Sequence, residues 1–198
     1  MAEEQRGDPA RYIREVTEYR QQRDKSFATS PDTPIPEEQQ GEHFGGLKYY
    51  PPDLAFRVEA EVVPFEAPQV VMLGSTKGDI RRQLRYGELR FRVRGEECRL
   101  IAFKDVDNAE SPELFVPFRD ATSGGETYGA GRYLDVEEDR ESDGPRNVIL
   151  DFNLAYSPWC AYNVAYSCTL PPPENTLSVA IAAGEMSYPV DHYGERDE

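Results

Sequence analysis

Lysine, histidine, cysteine and tryptophan are all scarce in this 198-residue chain: four Lys, two His, three Cys and one Trp. Each shortage excludes something. No closely spaced Cys pair exists, and His43 and His192 lie in terminal regions, so the spacing fits no zinc site and we expect no metal. No apolar run approaches the roughly 20 residues of a membrane helix; the longest candidates are 70–73 and 177–183. The opening Met1-Ala-Glu-Glu-Gln-Arg lacks the basic-then-apolar order of a secretory signal, which predicts a cytoplasmic protein. Gly-Ala-Gly-Arg at 129–132 lacks the Lys-Ser/Thr ending of a phosphate loop, and Ser123-Gly-Gly is not a nucleophile elbow. No cofactor is expected from any motif.

What is abundant is negative charge. Asp and Glu number 37 against 22 Lys and Arg, a net charge of −15, and 18 of the cations are Arg. Such a surface repels nucleic acid and anionic membrane, so neither is an expected partner. Acid excess with Arg in place of Lys also fits adaptation to a high-salt cytoplasm in a GC-rich organism. At 38% hydrophobic and 11% aromatic, the chain is too apolar for a disordered polyacid.

Asp8-Pro9 opens a helix, with an N-cap and a first-turn proline. Tyr12, Ile13, Val16, Tyr19 and Phe27 recur at helical spacing to about residue 28, before Ser30-Pro31. We divide the chain into an N-terminal helix (1–30), a Pro/Gly-rich connector (31–46), a single β domain (47–190) and a frayed tail (191–198). The connector has room for one or two helical turns after Pro36. Beyond it the period is two: Leu54–Val62, Leu89–Val93, Cys98–Phe103, Leu114–Phe118, Arg132–Val136 and Val148–Phe152, with further runs at Val70–Leu73 and Leu177–Ala182. Gly95-Glu96 reads as a hairpin turn, and 137–146 as an exposed acidic loop. The fold class is mostly β: an antiparallel barrel or sandwich of about 8–10 short strands with an N-terminal helix.

Residues 118–175 have a different texture, combining Gly-rich turns, five Tyr and the only Trp. If 132–136 is extended, Arg132 points with Leu134 and Val136 toward the core, away from Tyr133 and Asp135. A buried guanidinium needs an anion. Two readings stay open. In one, Arg132 and backbone amides near Gly129 and Gly131 hold a small polar or anionic ligand, helped by Glu126 and Asn163 and walled by Tyr128, Tyr156 and Trp159. In the other, Arg132 pairs with Asp120, Glu126 or Glu174 and staples a long loop; a bulge would instead turn it outward. The same three carboxylates are the candidates for acid–base chemistry of a hydrolase-like kind, although their spacing matches no catalytic motif. The sequence therefore leaves open whether the chain is an enzyme.

Cys98 alternates with Leu100 and Ala102 and reads as a small core residue. Cys160 and Cys168, eight positions apart, are free buried thiols, a disulfide, or a nucleophile or metal ligand. Between Arg81 and Arg99 lie seven Arg and three Glu, an island that offers an alternative role: a non-enzymatic interaction module using an Arg-rich sheet face. Cross-strand pairing with acids such as Glu59 and Glu61 is the competing account.

The blocks 114–135, 151–163 and 168–175, with Ala183-Gly-Glu185 and the earlier Gly46-Leu-Lys-Tyr-Tyr-Pro51, resemble the uncharacterised "domain of unknown function 1684" family across nearly the whole chain. Ser157 and Thr169 stand where that family usually has Asn and Pro. The family has no established activity, so the resemblance transfers no catalytic residue.

Overall fold

The computed structural model describes residues 8–138 and 146–189. Among these, the N-terminal helix α1 spans Pro9–Thr29, capped by Asp8, whose carboxylate accepts from the Ala10 N–H at 3.0 Å. Ser30 ends it in extended backbone ahead of Pro31. The inward stripe is Val16, Arg20 and Phe27, while Ile13 and Tyr19 are exposed. The apolar spacing identified the helix, and of the residues that carried it Val16 and Phe27 are buried, with arginines sharing the docking. Arg20 donates to the carbonyls of Tyr50 (2.7 Å) and Asn153 (3.0 Å).

Six strands form one antiparallel sheet: β1 (Arg57–Gly74), β2 (Ile80–Val93), β3 (Glu96–Asp105), β4 (Glu113–Phe118), β5 (Arg132–Glu137) and β6 (Asn147–Asp151). Their order is β5-β4-β3-β2-β1-β6, and the sheet curls into a nearly closed barrel with β5 and β6 brought together. Six strands rather than eight to ten result from two differences. The runs at 54–62 and 70–73 belong to a single long β1, preceded by a 3-10 turn at Leu54–Phe56. The 177–182 run is not a strand; Leu177, Ile181 and Ala183 instead plug the barrel core as irregular backbone. Phe152 opens a 3-10 turn rather than ending β6. The connector holds two such turns, Glu37–Gln39 and Gly41–His43.

The long β1–β2 hairpin bends where register shifts between Pro64 and Gln69, opposite Gly87. A Cβ at Gly87 would lie 2.8 Å from the Val63 carbonyl oxygen, so no side chain fits at the bend. Beyond it the arm projects from the barrel with Met72 and Ile80 exposed. The β2–β3 turn falls on Arg94-Gly95, both at positive φ, one residue before the expected position. Inside the barrel, Phe56, Leu89, Phe91, Leu100, Val116, Phe118, Leu150 and Phe152 form the core. Between β3 and β4 only Phe103 and Phe115 pair. The buried Asn175 side chain completes the ladder there, accepting from the Ile101 N–H (2.7 Å) and donating to the carbonyls of Ile101 and Pro117 (2.9 and 2.7 Å). The acidic loop expected at 137–146 falls mostly outside the described residues, as does the tail. Its first turn is not simply exposed: Glu138 is buried, bonded by Tyr86 and ion-paired with Arg146 and Lys104.

Candidate functional site

Strand parity placed Arg132 inward, and no bulge interrupts β5; its side chain is fully buried. Its fork donates to Asp120 Oδ2 (2.9 Å) and to the carbonyls of Ile181 (2.8 Å), Ala183 and Glu185 (3.2 Å). Asp120 is equally occupied. It accepts from the Thr122 N–H (2.8 Å), the Thr122 hydroxyl (2.6 Å) and the Ile181 N–H (3.2 Å). This is a sealed ion pair tying the 119–131 loop to the 181–185 segment.

Glu126 is exposed on that loop, and Glu174 is exposed and pairs with Arg85 at 3.1 Å. The three carboxylates considered for acid–base work therefore do not converge on one another or on a shared cavity. Gly131 sits at φ +100°, and a Cβ there would lie 2.6 Å from the Phe118 carbonyl oxygen and 2.7 Å from the Pro171 ring. Close packing of backbone accounts for this glycine. Gly129 lies against Gly124 across the loop. Asn163 folds its own turn, accepting from the Ala165 N–H at 2.9 Å.

A second buried cluster forms where α1 meets the barrel. Glu185, fully buried, accepts from the Tyr162 hydroxyl, the Ser157 N–H (3.3 Å) and the Arg23 guanidinium (3.4 Å). Burial raises its carboxyl above the ordinary Glu value, with Arg23 and Tyr162 opposing. The hydroxyls of Tyr49 and Ser157 are buried here without a hydrogen-bond partner among the described residues.

The remaining aromatic residues face outward. Phe115, Tyr133, Tyr156, Pro158, Trp159, Tyr166, Ser167, Cys168 and Thr169 line a cleft of about 330 Å³ on the outside of the barrel seam. Tyr133 and Tyr156 bridge backbone to backbone and meet edge to face, with ring centroids 5.7 Å apart. Their hydroxyls are tied down, Tyr133 to the Thr169 carbonyl and Tyr156 to Asp135 (2.7 Å). Burial raises both phenols, so each is a neutral donor. Trp159 and Tyr166 also meet edge to face at 5.1 Å, and Trp159 is 44% exposed.

Under the cleft lie Cys160 and Cys168, both free. The Cys160 N–H donates to Cys168 Sγ at 3.2 Å, and the Tyr128 hydroxyl to Cys160 Sγ at 3.7 Å. A hydrogen bond from the Cys168 thiol, aided by the hydroxyls of Tyr128 and Thr76, lowers Cys160 to about 6 despite its burial. Cys168 moves the opposite way, because its proton is held between the two sulfurs. Cys98 is half-buried against the core, with its thiol raised chiefly by burial.

The arginine island is largely neutralised where it stands. Arg81, Arg85, Arg90, Arg92, Arg94 and Arg99 have carboxylates of Asp79, Glu174, Glu88, Glu97, Asp53 and Glu88, respectively, within 4.0 Å. Among the described residues no three His, Cys, Asp or Glu are grouped to hold a metal, and no helix is long and apolar enough to cross a membrane.

Of the sequence-selected residues, then, Tyr156 and Trp159 wall one cleft, Tyr128 supports the thiols behind it, and Arg132 belongs to a different, closed structure. Tyr133, Phe115 and Tyr166 were missed. The signal for Tyr133 was present in the same parity that turned Arg132 inward.

A family model described as "Protein of unknown function (DUF1684)" matches residues 42–186. An uncharacterized protein of Haloarcula marismortui, a halophilic archaeon, solved by solution NMR, is 40% identical with a TM-score of 0.70, over 94% of this chain and 97% of that one. No curated protein matches.

Proposed function

The chain belongs to the DUF1684 family, and from that premise we propose that it is a small-molecule-binding β barrel whose site is the aromatic cleft at Tyr133, Tyr156, Trp159 and Tyr166. The observation that carries this reading is the cleft itself: a concavity of about 330 Å³ with aromatic walls held by hydrogen bonds at their hydroxyls. Its volume is at the small end of ligand pockets, roughly 300–1,000 Å³. The ligand class follows from the lining. A guanidinium would have selected an anion, but the two terminal nitrogens of Arg132 are committed to Asp120 and three carbonyls, and its Nε is buried. The cleft instead fits a small molecule with a flat or apolar body and a polar end directed at Ser167, Thr169 or the Tyr156–Asp135 pair.

Trp159, the only tryptophan, reports on the site directly. A fragment library of neutral, cationic and anionic aromatic compounds is titrated against Trp159 fluorescence and backbone amide NMR shifts. Binding moves the signals of residues 133, 156, 159 and 166 together, and Trp159→Ala weakens it. A screen that moves none of them, or moves them no more than the amides around Arg90 and Arg92, removes the proposal. An interaction role for the arginine face has less support, because most of its cations already have carboxylate partners.

A further inference from the structure

The floor of the cleft carries chemistry that ligand binding does not use. Cys168 lines the cleft, and Cys160 lies directly behind it, 4% exposed. Backbone fixes both. Cys160 belongs to the 3-10 turn Trp159–Ala161. Cys168 is tied to the tip of the β1–β2 arm, its N–H donating to the Thr76 hydroxyl (3.1 Å) and its carbonyl accepting from the Thr76 N–H (3.0 Å). The arm and the 163–170 loop are laced further by Ser167 to Ser75 (2.9 Å) and Lys77 to the Ala165 carbonyl (2.6 Å). Two cysteines eight residues apart are thus held side by side, the Cys160 N–H reaching Cys168 Sγ at 3.2 Å, with one sulfur at the cleft and the other protected.

We propose that Cys160 and Cys168 are a dithiol–disulfide couple that exchanges with small organic disulfides entering the aromatic cleft, Cys168 making first contact and Cys160 resolving. The inference rests on the cleft's being a ligand site, since the cleft is the route to Cys168.

The steps balance as follows. The exchange starts from the reduced pair in its singly protonated form. When the proton sits on Cys160, the Cys168 thiolate attacks a sulfur of the organic disulfide; the S–S bond breaks, one thiolate leaves, and a mixed disulfide forms on Cys168. Cys160 then loses its proton to the departed thiolate and attacks the Cys168 sulfur, expelling the second thiolate. The protein is oxidised by two electrons and the organic disulfide is reduced to two thiols, one protonated. The Tyr128 hydroxyl, aimed at Cys160, stabilises the charge whenever it rests on the buried sulfur.

The test uses the reduced full chain, 2-hydroxyethyl disulfide near pH 7, alkylation at timed intervals, and peptide mass spectrometry. The wild type is expected to lose two hydrogens in the peptide joining Cys160 to Cys168, with both escaping alkylation. Net loss of the free thiol at Cys168 should be at least about fivefold faster than at Cys98, because intramolecular attack by the adjacent Cys160 carries the mixed disulfide forward, whereas a mixed disulfide on Cys98 has no resolving thiol. Cys160→Ser accumulates the hydroxyethyl adduct on Cys168, because nothing resolves it; Cys168→Ser leaves Cys160 unmodified. Equal reactivity of Cys168 and Cys98, or both thiols of the pair still open to alkylation after Cys98 is consumed, overturns the proposal. The wild-type measurement decides this even where a variant folds poorly. A cleft-bound aromatic fragment should slow the exchange. Fragment binding without exchange removes only the couple, whereas exchange indifferent to every fragment removes the cleft as its route.

Discussion

Replacing Arg132 with Met separates a structural ion pair from a ligand site more sharply than any binding experiment. In the native protein the guanidinium is fully buried, answers Asp120 at 2.9 Å and caps three carbonyls of the 181–185 segment. Met has similar reach and no donors. The substitution leaves Asp120 with the Thr122 and Ile181 donors alone and strips the carbonyls of Ile181, Ala183 and Glu185 of this partner. Breaking one side of a buried pair costs about 3–5 kcal/mol. For a chain of this length each kcal/mol lowers Tm by roughly 2–4 °C, so a fall of about 6–20 °C is expected. Asp120→Asn keeps the shape and removes the charge, and should cost a similar amount. The double variant should cost clearly less than the sum, with a coupling of about 2 kcal/mol or more. Urea unfolding followed by circular dichroism and by Trp159 fluorescence measures all three. If Arg132 were instead a hydrated cation awaiting a ligand, Arg132→Met would cost about 0–1 kcal/mol, as exposed pairs do. A loss below about 1 kcal/mol would therefore refute the sealed-pair argument and return Arg132 to the ligand-binding reading.

Two further predictions follow from the same region. Gly131→Ala should destabilise by more than about 2 kcal/mol, since positive φ and a 2.6 Å approach to the Phe118 carbonyl act together, whereas Gly124→Ala, also at positive φ but with its nearest neighbour 4.0 Å away, should cost about 1 kcal/mol; paired urea titrations check the ordering. Glu185 holds its proton more tightly folded than unfolded, so its contribution to stability is complete below the ordinary Glu value of 4.5 and is lost as pH rises through the higher folded value. Denaturation series from about pH 4 to 8 should show this decline in the wild type and its absence in Glu185→Gln; parallel curves would place the titration elsewhere.

The strands were legible wherever a simple alternation operates. Leu89, Phe91 and Val93 against Arg90 and Arg92 gave β2 its inward face, and the parity of 132–136 put Arg132 inside without any structural information. Legibility failed where polar side chains do the work of apolar ones. Arg20 and Arg23 lie on the buried stripe of α1, which apolar recurrence alone does not include, whereas Ile13 and Tyr19, part of that recurrence, are exposed. The apolar run at 177–182 looked like a strand because burial and β propensity coincide there, yet its backbone bonds to loop partners: the Leu177 N–H to the Arg119 carbonyl and the Val179 carbonyl from the Ala121 N–H. The cleft was half legible. Tyr156 and Trp159 stood out by composition, but Tyr166 and Cys168 become neighbours of Tyr133 only because the β1–β2 arm carries the 163–170 loop back onto the seam.

That seam explains why the polar, Gly-rich blocks misdirect a functional reading. β5 and β6 do not ladder together, and the Tyr133–Tyr156 bridge joins β5 to the segment after β6, so closing the barrel leaves backbone groups in need of partners where the strands end. The segments from 119 to 131 and from 152 to 187 supply those partners. Asn153 bonds both backbone groups of Asp53, Asn175 fills the gap between β3 and β4, and Arg132 with Asp120 secures the 181–185 run. Buried Asn, Arg, Asp and close-packed Gly in such blocks are the chemistry of closure, and they resemble an active site in sequence because both need satisfied buried polar groups. A residue in these blocks is informative about function only after its structural partners are accounted for. Trp159 and Tyr166 meet that condition through rings presented at the mouth of the cleft, and Cys168 through a sulfur that faces outward with a second thiol behind it. The acidic surface supplies the contrast: with charge spread over so much of the exterior, an aromatic cleft floored by two thiols is the chemically distinct place on this barrel, and reactivity should be sought there first.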